Sequence, residues 1–133
     1  MRLSSYSVKQ KDEYIDIVWT GHITREMARS CIEEIAAIAK ELVNRNKPVL
    51  TRFRVVDPPL PPNVDAFEEG LNIFKAEIPL TRSVMWGHIP RLVRILVDIL
   101  LETYSGDYLI KYIEDEQQAL SWLLHGDKTP VDK

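Results

Sequence analysis

The sequence predicts an α/β domain: a mostly parallel open sheet of about five strands, an antiparallel strand at its N-terminal edge, and helices laid mainly on one face. Three observations carry that prediction. Apolar residues alternate between a two-residue and a 3.6-residue period in the order β-β-α-β-α-β-α-β-α, which implies parallel strands joined by right-handed crossovers. The first two strand-like segments are joined only by the polar turn "KDE" (11–13), so they form a hairpin. The strands also alternate apolar with polar residues, whereas parallel strands covered on both faces read as unbroken apolar runs. One face of the sheet is therefore expected to stay partly wet, as it does when every crossover steps the same way.

The elements follow in order. "SYSVKQ" (5–10) is the edge strand and "YIDIVWTG" (14–21) the second. In the latter, Ile15, Ile17 and Trp19 share one face, while Tyr14, Asp16, Val18 and Thr20 share the other. "TREMARSCIEEIAAIAKELVNRN" (24–46) puts Met27, Cys31, Ile35, Ile38 and Leu42 on one helical face, with Thr24 as N-cap. "PVLTRFRVVD" (48–57) is a strand in which Arg52 and Arg54 lie opposite Phe53 and Val55. "PPLPPN" (58–63) places four prolines in five residues, which forbids regular hydrogen bonding and makes a stiff loop. "VDAFEEGLNIFKAEI" (64–78) is a shorter helix with Asp65 near its start, and "TRSVMWG" (81–87) is the next strand. "PRLVRILVDILLETY" (90–104) is a helix with Pro90 in its first turn, where the missing N–H does no harm. "DYLIKYI" (107–113), interrupted by Lys111, is the last strand. In "EDEQQALSWLL" (114–124), Asp115 and Gln118 have capping-box spacing for a final helix. "HGDKTPVDK" (125–133) is polar and aperiodic, so a single domain is expected over 1–124 with a tail after it.

Composition excludes several classes. A chain of 133 residues can bury roughly two thirds of its unfolded surface around one core. With 45% hydrophobic residues, 28% charged residues and a net charge of −3, it offers no general field for nucleic acid or anionic membrane. "MRLSSYSV" has no apolar stretch of secretory-signal length. The densest apolar segment, "LVRILVDILL" (92–101), carries Arg94 and Asp98 and is too short to span a bilayer. Cys31 is the only cysteine, which suits a reducing compartment, so a cytoplasmic location is expected. Glycines stand singly, without a phosphate-binding loop, and there is no serine-centred elbow. No cofactor and no metal are expected.

The closing "YIEDEQQALSWLL" (112–124) is a strand, then Glu-Asp, then a helix ending Ala-Leu-x-Trp-Leu. It resembles the C-terminal signature of the SpoIIAA-like family, whose fold is the STAS domain of sulfate transporters and anti-sigma-factor antagonists. The order of elements over 6–124 is similar too. The resemblance implies a βα superhelical sheet with strands in sequential order, and a binding or regulatory module rather than an enzyme. One branch of that family switches by phosphorylation of a serine in an Asp-x-Ser-Gly-like turn, where the helix after the third strand begins. Here the corresponding stretch, "DPPLPPNVDAFEEG" (57–70), holds neither serine nor threonine, so that switch does not transfer. A related fold in Sec14-like lipid carriers adds a second reading, a carrier of a small apolar ligand.

Three groups of residues are candidate sites. "VWTGHIT" (18–24) and "VMWGHIP" (84–90) echo each other, each turning at a glycine and placing a histidine before a helix. His22, Asp57 and His88 then follow three neighbouring strands at the carboxyl edge, the usual ligand crevice. With Leu60 of the proline loop they form a candidate partner-binding rim. Imidazoles flanked by carboxylates also suit a metal or proton-transfer site, yet two strand spacings separate them by roughly 10 Å; a repeated turn is the simpler reading. On the open face, Asp16 can pair across with Arg52 or Arg54, and the arginines can clamp an anionic group of a partner; a solvated ion pair is the plainer alternative. Along the 90–104 helix, Arg91, Arg94, Asp98 and Glu102 make one narrow stripe, and aliphatic residues fill an arc of roughly 240°. That excess calls for another helix, a second subunit or an apolar ligand, and Val93, Val97 and Leu101 are the expected dimer-facing or ligand-facing positions. Cys31 reads as a small core hydrophobe, and Trp19, Trp86 and Trp122 as packing residues. The sequence thus points to a non-enzymatic protein-interaction or regulatory module, homodimeric, with its protein partner unidentified. The alternatives are the apolar-ligand carrier and a weak metal or acid/base site at His22 and His88.

Overall fold

A computed structural model describes residues 4–59, 63–78, 81–104 and 110–126. Its elements are β1 (Ser5–Gln10), β2 (Ile15–Thr20), α1 (Arg25–Asn44), β3 (Leu50–Val56), α2 (Val64–Glu77), β4 (Arg82–Trp86), α3 (Arg91–Tyr104), β5 (Ile110–Ile113) and α4 (Glu116–His125). The strands form one five-stranded sheet in the order β1-β2-β3-β4-β5. β1 is antiparallel to β2, with Tyr6 opposite Trp19 and Val8 opposite Ile17. All later pairs are parallel. Each crossover steps to the adjacent strand in the same direction, and right-handed connection then places α1, α2 and α3 on one face.

The alternation within each strand sorts the side chains between two cores. Ile15, Ile17 and Trp19 of β2, Val55 of β3 and Met85 of β4 pack with the buried faces of α1, α2 and α3. The intervening residues point the other way. Leu50 of β3 and Val84 of β4 pack beneath α4, against Ala119, Trp122 and Leu123. α4 folds across the second face and roofs part of what would otherwise be a wet surface.

Local signals fix the helix ends. Thr24 Oγ1 accepts the Met27 N–H at 3.1 Å, and Asp115 Oδ2 accepts the Gln118 N–H at 2.9 Å. Each satisfies a backbone donor that a helix N-terminus leaves open. Pro90 sits one residue ahead of the helix rather than inside its first turn; its carbonyl accepts from Val93 and Arg94 at 3.0 and 3.1 Å. At the far end of α4, Arg82 donates through Nε and Nη2 to the Leu123 carbonyl at 3.0 and 2.9 Å. The helix includes His125 and is capped by Gly126; residues 127–133 of the expected tail lie outside the described residues.

The two similar heptapeptides are a repeated turn. Gly21 and Gly87, the residues after β2 and β4, have φ of 71° and 81°, and Asp57 after β3 has φ of 47°. Gly21 N–H donates to the Val56 carbonyl at 2.8 Å, and Gly87 N–H to the Glu114 carbonyl at 3.1 Å. Each turn thus extends the parallel ladder by one bond to the next strand. Asp is among the few non-glycine residues that enter this region at modest cost. A Cβ at Gly87 would meet Arg54 Nε at 3.5 Å, ordinary contact, so the expense of a side chain there is backbone strain. Gly87→Ala should therefore lower stability by about 1–2 kcal/mol, seen as a fall in the urea midpoint with an unchanged slope. An unchanged midpoint would refute the assignment.

Candidate functional site

A cavity of about 80 Å³ lies between the sheet and the three crossover helices. Its floor includes Ile17, Thr51, Phe53 and Ser83, and its roof includes Ile32 and Ile35 of α1, Phe67 and Gly70 of α2, and Val97 of α3. The cavity exists because small residues face each other there. Gly70 contributes no side chain, and Thr51 and Ser83 beneath are short. Around them Trp19 meets Phe53 edge-on, with ring centroids 5.1 Å apart, and Phe67 at 5.3 Å.

The lining is apolar apart from Thr51 and Ser83, whose hydroxyls hydrogen-bond each other at 2.7 Å. Both residues are buried. The indole N–H of Trp19 is used elsewhere, donating to Cys31 Sγ at 3.4 Å. A water needs roughly 10–15 Å³ of such space and two to four polar partners. The volume admits several waters; the walls offer them almost nothing to bond.

The second face carries a different cluster, centred on Arg52. Its Nε donates to Asp16 Oδ1 at 2.9 Å and its Nη1 to Glu116 Oε2 at 3.1 Å. The guanidinium lies 5.2 Å from the Tyr14 ring centroid and 5.0 Å from that of Trp86. Burial opposes the charge, but the hydrogen bond and charge of Asp16 outweigh it and hold Arg52 above its ordinary pKa. The expected cross-strand pair is present, and it is not solvated: Arg52 is 8% exposed because α4 covers it.

Arg54 differs. It is exposed, its guanidinium stacks 4.7 Å from the Trp86 centroid, and it makes no ion pair among the described residues. The two arginines expected to act together are thus divided. One holds the fold and the other faces solvent. Trp86 Nε1 is buried without a hydrogen-bond partner among the described residues.

His22, Asp57 and His88 are exposed at the carboxyl ends of β2, β3 and β4. Ser4 Oγ accepts the backbone N–H of His22 at 3.1 Å. Among the described residues no group of three or more His, Cys, Asp or Glu side chains is arranged to hold a metal ion. Leu60 lies outside the described residues, as does the side chain of Leu101.

Val93 and Val97 are not on the outward surface of α3. They are 0% and 4% exposed, turned with Leu100 onto the sheet, and Val97 lines the cavity. The surplus of the broad apolar arc falls instead on Leu92, Ile95 and Ile99, which are 51%, 43% and 54% exposed. The polar stripe of the same helix is partly engaged. Tyr112 of β5 donates to Asp98 Oδ1 at 3.0 Å, and Arg94 lies 4.7 Å from its ring centroid. Burial, then the bond to Asp98, pushes the Tyr112 hydroxyl above its usual pKa.

No family model matches the chain, and no curated protein matches it. Among solved structures it is similar to an uncharacterized protein of the DUF3478 family with a SpoIIAA-like fold from Shewanella loihica. The two share 15% identity and superpose with a TM-score of 0.61 over 92% of this chain and 97% of that one. The fold is SpoIIAA-like, as the C-terminal motif implies. At this identity the likeness speaks for the fold alone. No described helix is long and apolar enough to cross a membrane.

Removing Arg52 would leave Asp16 facing the covered sheet without its partner. Arg52→Ala should cost about 2–4 kcal/mol of unfolding free energy, whereas Arg54→Ala should stay within about 0.5 kcal/mol. Equal effects of the two in chemical denaturation would contradict the division between them.

Cys31 offers a pH test. Burial pushes its thiol from 9.0 up to about 12, only partly offset by the Trp19 hydrogen bond. A pKa raised by folding gives stability that is present below the unfolded value and lost as pH rises toward the folded one. Stability should thus fall more steeply above pH 9.0 in the native protein than in Cys31→Ala. The folded thiol should also resist alkylation that proceeds readily in denaturant. Rapid labelling of the folded protein would show the site to be open.

Proposed function

We propose that the protein is a non-enzymatic binding module of STAS type that takes a small apolar molecule into the cavity between the sheet and α1, α2 and α3. The cavity is the observation that supports this reading. A largely apolar pocket with a few convergent polar groups is the usual form of a small-molecule site. Its size limits the ligand. At about 80 Å³ it is near half the roughly 150 Å³ of an apolar cavity that takes up benzene. It suits a compact molecule or one end of a longer one, and not an entire lipid.

A second reading draws on α3. Leu92, Ile95 and Ile99 form an exposed aliphatic stripe, which favours a second copy of the chain as a partner. The rim of His22, Asp57 and His88, expected with Leu60 to meet a protein partner, is the other surface this module would use.

Native mass spectrometry compared with the denatured mass reads both possibilities. Added mass that disappears on denaturation supports the ligand, and a dimer without added mass supports self-association. Gly70 supplies the directed test. A Cβ there would sit 3.7 Å from Ile32 Cγ1 and from Trp19 Cη2, ordinary van der Waals contact in a helix interior. Gly70→Ala should therefore stabilise the protein by about 0.5–1 kcal/mol. Gly70→Leu should fill the cavity and abolish uptake of apolar probes, read by NMR of the lining methyl groups. Unchanged probe binding in Gly70→Leu would place the ligand elsewhere.

A further inference from the structure

The two hydroxyls on the cavity floor specify more than apolarity. Thr51 and Ser83 stand opposite each other on β3 and β4, 1% and 6% exposed, with their oxygens 2.7 Å apart. Two hydroxyls carry two protons, and the bond between them uses one. Whichever residue donates, the other O–H has no acceptor among the described residues. It can turn about its C–O bond, and both residues line the cavity. A buried donor of this kind is costly to leave unmet, and a ligand atom can meet it.

The remaining lining decides the charge of that atom. Among the described lining residues, every side chain other than Thr51 and Ser83 is apolar or has its one polar group engaged elsewhere, as Trp19 does with Cys31. A carboxylate or ammonium would find no counter-charge among these residues, which low-dielectric surroundings penalise heavily. A neutral oxygen loses far less hydration and gains the waiting proton.

We propose that the cavity selects a neutral, mostly apolar molecule bearing one hydrogen-bond-accepting oxygen, of which a ketone or ester carbonyl is the simplest form, seated with that oxygen on the Thr51–Ser83 pair. The proposal rests on the ligand reading of the same cavity and adds the chemical class. The portion held in the pocket is roughly three to five heavy atoms, scaled from the benzene-sized cavity.

A matched pair of probes separates the two claims. 2-Butanone and 2-methyl-1-butene have nearly the same shape, one with a carbonyl where the other has a methylene. Both are titrated into the full chain and into Thr51→Val/Ser83→Ala, with the methyl resonances of Ile17, Ile35 and Val97 as the readout. In the native protein both probes should shift these methyls saturably. In the double variant the ketone should weaken about fivefold to tenfold relative to the alkene, as expected for one lost hydrogen bond. Alkene binding in the variant reports that the cavity has survived the substitutions. The carbonyl stretch of 2-butanone bound to the native protein is independent of any variant. It should lie below its frequency in alkane solvent. A stretch at the alkane value, or an unchanged ketone-to-alkene ratio, overturns the proposal while leaving the apolar site standing. If neither probe shifts the methyls, the ligand reading falls and this proposal with it.

Discussion

Each crossover in this chain advances one strand in the same direction, and much of the architecture follows from that constraint. Right-handed connections that never reverse must deposit every connecting helix on one face. The covered face receives α1, α2 and α3 and becomes the main core. Among the described residues the other face is left to α4, which is too short to cover five strands. Between the two faces the sheet must change chemistry at every residue. That is why Phe53 and Val55 alternate with Arg52 and Arg54 in a strand that lies between parallel neighbours.

A buried arginine is the consequence on the thinly covered face. Arg52 links β2 through Asp16, α4 through Glu116 and the aromatic rings of Tyr14 and Trp86. One planar cation satisfies partners in several directions, which a lysine could not do with the same geometry. Arg82 anchors the other end of α4 by bonding its last carbonyls. The helix is thereby held from both ends by arginines that the strands supply, with Trp122 and Leu123 filling the space between. On the opposite face the helices are likewise tied at their margins. Glu69 of α2 bonds Arg25 and Arg29 of α1 at 3.1 and 2.9 Å, and the Arg29 bond draws its carboxyl below the usual range against a smaller opposing effect of burial. Tyr112 ties α3 to β5. The roof is pinned at its edges, and its centre, at Gly70, is where packing gives way to the cavity.

The period of the apolar residues carried the element order, the hairpin, the parallel ladder and the one-sided crossovers, because each follows from local alternation plus a rule of handedness. The caps at Thr24 and Asp115 were legible for the same local reason. What was not legible depended on distant atoms. Whether Arg52 or Arg54 would be covered turned on where α4 lands, and nothing within β3 distinguishes them. The inward edge of α3 is Val93, Val97 and Leu100, while its broad aliphatic arc allowed Leu92, Ile95 and Ile99 equally well. The cavity depends on Gly70, Thr51 and Ser83 meeting across elements that are far apart in sequence. Each alone is an ordinary small residue. A glycine in the middle of an amphipathic helix was the one available signal, since such a residue weakens a helix unless packing or a close neighbour requires it.

The turn after β3 is tied to its neighbour by a side chain. A phosphoswitch of the kind the SpoIIAA-like resemblance implies would need a serine where the following helix begins. In this chain Asn63 occupies the N-cap of α2 without capping it, and its Nδ2 donates instead to the Ile23 carbonyl at 2.9 Å. That bond joins the β3–α2 turn to the β2–α1 turn, beside the left-handed Gly21 and Asp57. A side chain spent on bracing two turns cannot also present a modifiable group, and the stretch 57–70 contains no hydroxyl to take its place. The same bond fixes the first turn of α2, the helix whose Phe67 and Gly70 roof the cavity.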